Sequence, residues 1–165
     1  VNTYVATATI ESEAVMSEGD GFRFSLKRIW SHKKPVGAFL CQNPSKADHL
    51  LTDQTMSNCN NLAVKWGWGG FWLLNLYPGY ATNPKNLEKD DDTALKNAEV
   101  IGEVLKNVDM VILACGRGHK KNLKKVLRGV PPEKLFCIGK NGDGSFLHPA
   151  RISVENYPSP IKAHI

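Results

Sequence analysis

The side chains best suited to chemistry gather just behind the chain's apolar runs. After Val36–Gln42 comes Cys41-Gln42-Asn43-Pro44-Ser45, followed closely by Asp48, His49 and Asp53. The run Phe71–Tyr77 carries Asn75 and ends in Tyr77-Pro78. After Val108–Cys115 comes Gly116-Arg117-Gly118-His119-Lys120-Lys121, and after Leu135–Gly139 comes Gly142 to Pro149 with His148. These residue types supply amides that read polar edges, carboxylates that can activate water, and an imidazole that can donate to a leaving group. Asn43-Pro44 is also a common turn dipeptide, and His148-Pro149 can equally be a turn. Asn75 interrupts an apolar strand, where an unpaired amide costs about 1–3 kcal/mol. It therefore binds a neighbouring backbone or faces a ligand.

Six cations, Arg117, Lys120, Lys121, Lys124, Lys125 and Arg128, stand with no acid between Met110 and Pro132. Such a run can be a solvated helix face. Because Gly116-Arg117-Gly118 opens the segment, free N–H groups at a helix start offer a phosphate contact as well. Trp66 and Trp68 lie among glycines before the second run and Trp72 just inside it, a pattern of core packing at a helix–strand corner more than of base stacking.

The elements that must position these groups alternate. The four runs are near-continuously apolar, as strands covered on both faces are. Between them, Thr55–Trp66, Thr93–Val108 and His119–Arg128 repeat apolar residues at helical spacing, and Pro131-Pro132 ends the last. This predicts a three-layer α/β/α fold with a central, mainly parallel, four-stranded sheet. Phe22, Phe24, Leu26 and Arg28 alternate with Arg23, Ser25 and Lys27, which predicts a strand in an antiparallel edge pair with Tyr4–Ile10. Tyr77–Asn86 and Glu88–Asp92 read as loops. In such a sheet, ligands bind outside the carboxyl ends of the strands, so the four strand ends should share one cleft.

At 165 residues, with 42% apolar and 22% charged side chains, the chain is one globular domain spanning residues 1–165, with residues 1–30 an N-terminal β extension. No apolar run approaches the ~20 residues of a membrane span. Val1–Ile10 has neither the basic nor the apolar region of a signal peptide, so a cytoplasmic location is expected. The net charge of +5 suits an anionic partner. Cys41, Cys59, Cys115 and Cys137 form no C-x-x-C pair and three sit in apolar runs, so reduced core thiols are expected. Neither a metal nor another cofactor is expected.

The ordered motifs carry a family resemblance. Cys41-Gln42-Asn43-Pro44-Ser45, Leu73-Leu74-Asn75, Leu113-Ala114-Cys115-Gly116 and His148-Pro149 are similar, in order, to the strand-end motifs of the uracil-DNA glycosylase superfamily. A closer resemblance is to a bacterial and phage domain of unknown function (DUF1643-like). It is carried by Leu26-Lys27-Arg28-Ile29-Trp30, by Asn43 to Asp48, by Asp53–Thr55 and by Gly144 to Pro149. The glycosylase resemblance implies hydrolysis of the N-glycosidic bond of a uracil, mismatched or modified base. Asn43 would position the water, with Asp48 or Asp53 as the carboxylate that deprotonates it, and His148 would donate to the departing base. Gln42, Pro44, Ser45, Asn75, Tyr77 and Gly116 would face the substrate, and Arg117, Lys120, Lys121 and Lys124 its phosphates. The chain departs from the superfamily pattern at Asn43, where an aspartate is common, and at Ala150, where His-Pro-Ser would end. The alternatives are a nucleotide- or nucleic-acid-binding module without this chemistry, and an enzyme of modified nucleotides. DNA or a nucleotide is the expected partner and a monomer the expected state.

Overall fold

In a computed structural model, residues 1–19, 21–80, 91–117, 120–153, 156 and 158–165 are described. The chain is α/β: a seven-stranded mixed sheet with three helices. The strands are β1 (Glu11–Met16), β2 (Arg23–Ile29), β3 (Val36–Cys41), β4 (Gly70–Asn75), β5 (Met110–Leu113), β6 (Leu135–Cys137) and β7 (Ile161–Lys162). The helices are α1 (Gln54–Lys65), α2 (Asp91–Asn107) and α3 (Lys120–Val126). The sheet order is β1-β2-β4-β3-β5-β6-β7. Strand β3 runs parallel to β4 and β5, and β5 parallel to β6; the pairs β1–β2, β2–β4 and β6–β7 are antiparallel.

The near-continuous apolarity of the strands follows from this arrangement. Phe39, Leu73 and Ile112, side by side in register, pack with Met56, Cys59, Leu62 and Ala63 of α1 on one face. Their neighbours Leu40, Leu74 and Leu113 pack with Ile101, Val104 and Leu105 of α2, with Leu123 of α3 and with Leu127 just after it on the other. The chain steps from β3 to β4 on one side, then crosses back to β5. Right-handed connections place helices on opposite faces when the direction reverses.

Trp66 and Trp68 pack the corner between α1 and β4, whereas Trp72 lies against the core on the other face of the sheet. Phe39 lies 5.8 Å from Trp66 and 5.7 Å from Trp68, ring centre to ring centre. Trp66 Nε1 donates to the Pro158 carbonyl and Trp30 Nε1 to that of Trp68. Gly37 makes room: a Cβ there would lie 2.1 Å from the Trp68 ring.

Several expectations need correction. The partner of β2 is Glu11–Met16, not Tyr4–Ile10, which forms no strand and is exposed. Glu13 lies opposite Lys27 and pairs with it at 3.2 Å, a cross-strand charge pair that residues 4–10 cannot supply. The pair β1–β2 does form the antiparallel edge of the sheet, with β4 on the other side of β2, and Arg23 and Ser25 are as buried as Phe24 and Leu26. Asp91 and Asp92, expected in a loop, open α2, where acids complement the positive end of the helix. Asp53 caps α1 and moves its start to Gln54. The final strand β7 had no sequence signal, being two residues long. Residues 81–90, 118 and 119 lie outside the described residues, and with them most of the Tyr77–Asn86 loop and the opening of the basic segment.

Candidate functional site

A cleft of about 510 Å³ opens between the carboxyl ends of β3 and β5. That is the point where the strand order reverses, the place at which open α/β sheets bind ligands. Its volume lies within the ~300–1,000 Å³ of small-ligand sites. Gln42 enters it from the end of β3, and Cys115, Gly116 and Arg117 from the end of β5. Asn141, His148, Ala150 and Arg151 close it from the segment after β6.

That last segment is held by its own turns. Gly144 has φ +78°, a left-handed turn position that favours glycine, and its N–H donates to the Asn141 carbonyl. The buried Phe146 bridges Gly116 and Lys140, which draws the loop against the end of β5. Asn141 Nδ2 donates to Ser145 Oγ at 2.9 Å. Asp143 accepts from Ser145 and pairs at 2.8 Å with Arg117 Nε. Those hydrogen bonds, with Arg117 adding to them, hold the Asp143 carboxyl below its usual pKa.

His148 caps a single 3₁₀ turn, Pro149–Arg151, with its Nδ1 accepting the Ala150 N–H at 3.2 Å. Burial, reinforced by the positive charge of Arg151 and opposed by Asp53, holds the imidazole pKa below its ordinary value. The ring is therefore neutral near pH 7. With Nδ1 an acceptor, its proton sits on Nε2, which is left to donate.

The sequence-derived candidates divide. Gln42, Gly116, Arg117 and His148 line the cleft together. Asn43 does not; its Nδ2 donates to the Gly79 carbonyl at 3.1 Å, tying the end of β3 to the loop after β4. Asp48 Oδ1 accepts the N–H groups of Leu50 and Leu51, both at 2.7 Å, and these bonds hold its carboxyl below the usual pKa. Asp53 caps α1 by accepting the Met56 N–H, and its second oxygen accepts from Ala47 N–H and the Ser45 hydroxyl. Pro44, Ser45 and Asp53 border a separate cavity of about 350 Å³ with Tyr80. Asn75 is buried and its Oδ1 accepts from Arg23 Nη2 at 3.0 Å, a side-chain partner and not the neighbouring backbone expected. Tyr77 accepts from Asn122 of α3 through its hydroxyl. Lys121 and Lys124 are exposed and outside the lining; Lys120 opens α3, its side chain not among those described.

Four polar positions were missed, Asn141 of the cleft wall among them. Arg151 is a lone cation two residues past Pro149, with no pattern to mark it. Arg23, 1% exposed, donates to the Ala47 carbonyl and to Asn75 while its Nε has no partner. Asn58 is fully buried on α1, where its spacing of four from Leu62 already put it on the apolar face.

The family model that matches this chain covers residues 23–150, from the buried Arg23 to the turn that His148 caps. The chain belongs to the family described as a protein of unknown function (DUF1643). The matched span includes every strand that borders the cleft and all of its lining residues except Arg151. No curated protein and no solved structure matches the chain. Among the described residues, no group of three or more His, Cys, Asp or Glu side chains could hold a metal ion, and no helix is long and apolar enough to cross a membrane.

Proposed function

We propose that this domain binds a nucleotide unit, free or within DNA, in the cleft between β3 and β5. The observation that carries the reading is the lining itself. Two arginines, a neutral histidine, a glutamine and an asparagine face one cavity, and among the described residues no carboxylate lines it, Asp143 lying behind Arg117 as its ion-pair partner. Arg117 and Arg151 suit phosphate oxygens, for which guanidinium is a good match. Gln42 and Asn141 each offer both a donor and an acceptor, the complement of a base edge. The test is binding of a fluorescent single-stranded oligonucleotide and of mononucleotides across a salt series. Replacing Arg117 and Arg151 together by Ala should weaken binding equally across sequences and lower the salt slope by roughly 1–2. Unchanged affinity in the double variant would overturn the reading.

His148 favours a second reading, in which the bound nucleotide loses its base. A neutral imidazole donating from Nε2 can stabilise a departing base anion, as in the glycosylase superfamily that the motif order resembles. In this reading Asn43, Asp48 and Asp53 have structural partners, so the attacking water would be held from the cleft wall, where Gln42 lies. Uracil-containing, mismatched and hypermodified DNA, assayed for released base with wild type and His148→Ala, tests it. Base release that His148→Ala slows by orders of magnitude supports hydrolysis. Binding without release on every substrate leaves a binding module.

A further inference from the structure

Helix α1 reaches the cleft through one buried amide. Asn58 is completely buried. Its Nδ2 donates to the Pro149 carbonyl at 2.7 Å and to the Ile152 carbonyl at 3.3 Å, more than ninety residues away in the chain. Its Oδ1 accepts from Gln54 Nε2 at 3.0 Å, one turn earlier on the same helix. All of its polar atoms are thus engaged, as a buried amide requires.

The two carbonyls it holds bracket the 3₁₀ turn. Within that turn Arg151 N–H donates to the His148 carbonyl and Ile152 N–H to that of Pro149, and Pro149 is itself buried against α1. The turn carries three cleft residues, His148, Ala150 and Arg151. Its internal bonds are few, and a single 3₁₀ turn does not hold its own shape in water. An external anchor is needed, and the amide of Asn58 supplies it.

We propose that Asn58 is the positioning residue of this cleft: by pinning the Pro149 and Ile152 carbonyls it sets the depth and the ring orientation of His148. The role is independent of which ligand the cleft takes. It differs from general core packing because an apolar side chain of similar volume would fill the space and leave the turn unpinned. Among the described residues, the charged groups around His148 are Arg151 in the same turn, Arg117 across the cleft and Asp53 at the start of α1.

The test is ¹⁵N-edited NMR of the His148 ring in wild type, Asn58→Leu and Asn58→Ser, with no ligand present. In wild type the ring should be the Nε2–H form with a midpoint below 6.5. In Asn58→Leu the midpoint should move up toward 6.5 and the two neutral tautomers should mix, while a cooperative melt shows that the protein is folded. Asn58→Ser keeps a donor for one carbonyl and should fall between. A folded Asn58→Leu with the wild-type midpoint and tautomer refutes the proposal. Should Asn58→Leu fail to fold, amide exchange in wild type decides: protection of the Arg151 and Ile152 N–H groups comparable to that of α1 supports the anchor, and free exchange at both overturns it.

Discussion

Asp53 offers the sharpest separation between a chemical and an architectural role for a carboxylate near the cleft. Its Oδ1 accepts the Met56 N–H at 2.8 Å as the cap of α1. Its Oδ2 accepts the Ala47 N–H at 3.2 Å and the Ser45 hydroxyl. Removing a helix cap costs about 1 kcal/mol. The Ala47 amide belongs to a fully buried residue, and stranding it adds about 1 kcal/mol more. The exposed Ser45 hydroxyl can turn to water, so its loss adds only about 0.5 kcal/mol. Asp53→Ala should therefore lose about 2–3 kcal/mol, a fall in Tm of roughly 5–10 °C for a domain of this size. Asp53→Asn keeps an oxygen for the Met56 N–H but changes the partner of Ala47 and Ser45, and should lose about half as much. Thermal melts followed by circular dichroism, alongside oligonucleotide binding on the same samples, provide the measurement. If Asp53→Ala melts within 1–2 °C of wild type, roughly what a loss of a few tenths of a kcal/mol gives, the hydrogen bonds carry no weight and this reasoning fails. If Asp53→Asn melts like wild type yet abolishes base release, Asp53 is the activating carboxylate instead.

Two further outcomes follow from single observations. Gly37→Ala sets a methyl into the Trp68 ring, with no room for either to yield beside Phe39, and should lower the urea midpoint by the equivalent of about 3 kcal/mol or leave the chain insoluble; a midpoint equal to wild type would show that the corner is loosely packed. The folded pKa of His148 lies below 6.5, so the unfolded chain binds the extra proton first. The stability its neutral ring contributes is thus complete above pH 6.5 and is lost as pH falls below that value. Urea midpoints measured from pH 5 to pH 8 should show this loss in wild type and a flatter profile in His148→Gln; parallel profiles would contradict the burial of the ring.

Much of the architecture was legible in the chain because it follows from local pattern. Apolar runs bounded by turn residues marked β3, β4, β5 and β6, and spacings of three and four marked α1, α2 and α3. The four cysteines, placed in or against apolar segments, are all buried and unpaired. Burial pushes the Cys41 thiol up to about 12 and that of Cys115 to about 11, so both are protonated at neutral pH. Gln42, Gly116, Arg117 and His148 could be nominated together because each follows a strand, and parallel strands deliver their carboxyl ends to one edge.

The tasks of the remaining polar residues could not be read this way. Asn43, Asp48 and Asp53 look alike as nearby amides and carboxylates. Which of them faces a cavity depends on where Gly79, Leu51 and Ala47 lie, and those positions are set by packing. Arg23 reads as the outward residue of an alternating strand until the Ala47 carbonyl and Asn75 arrive around its guanidinium and it is buried. Asn58 reads as a blemish on an apolar helix face until Pro149, 91 residues later, arrives opposite it. Helix and strand periods report which face of an element turns inward, because they depend on neighbours a few residues apart. A buried hydrogen bond between distant segments depends on two elements meeting at a distance of about 3 Å, and only the packed sheet and helices determine that.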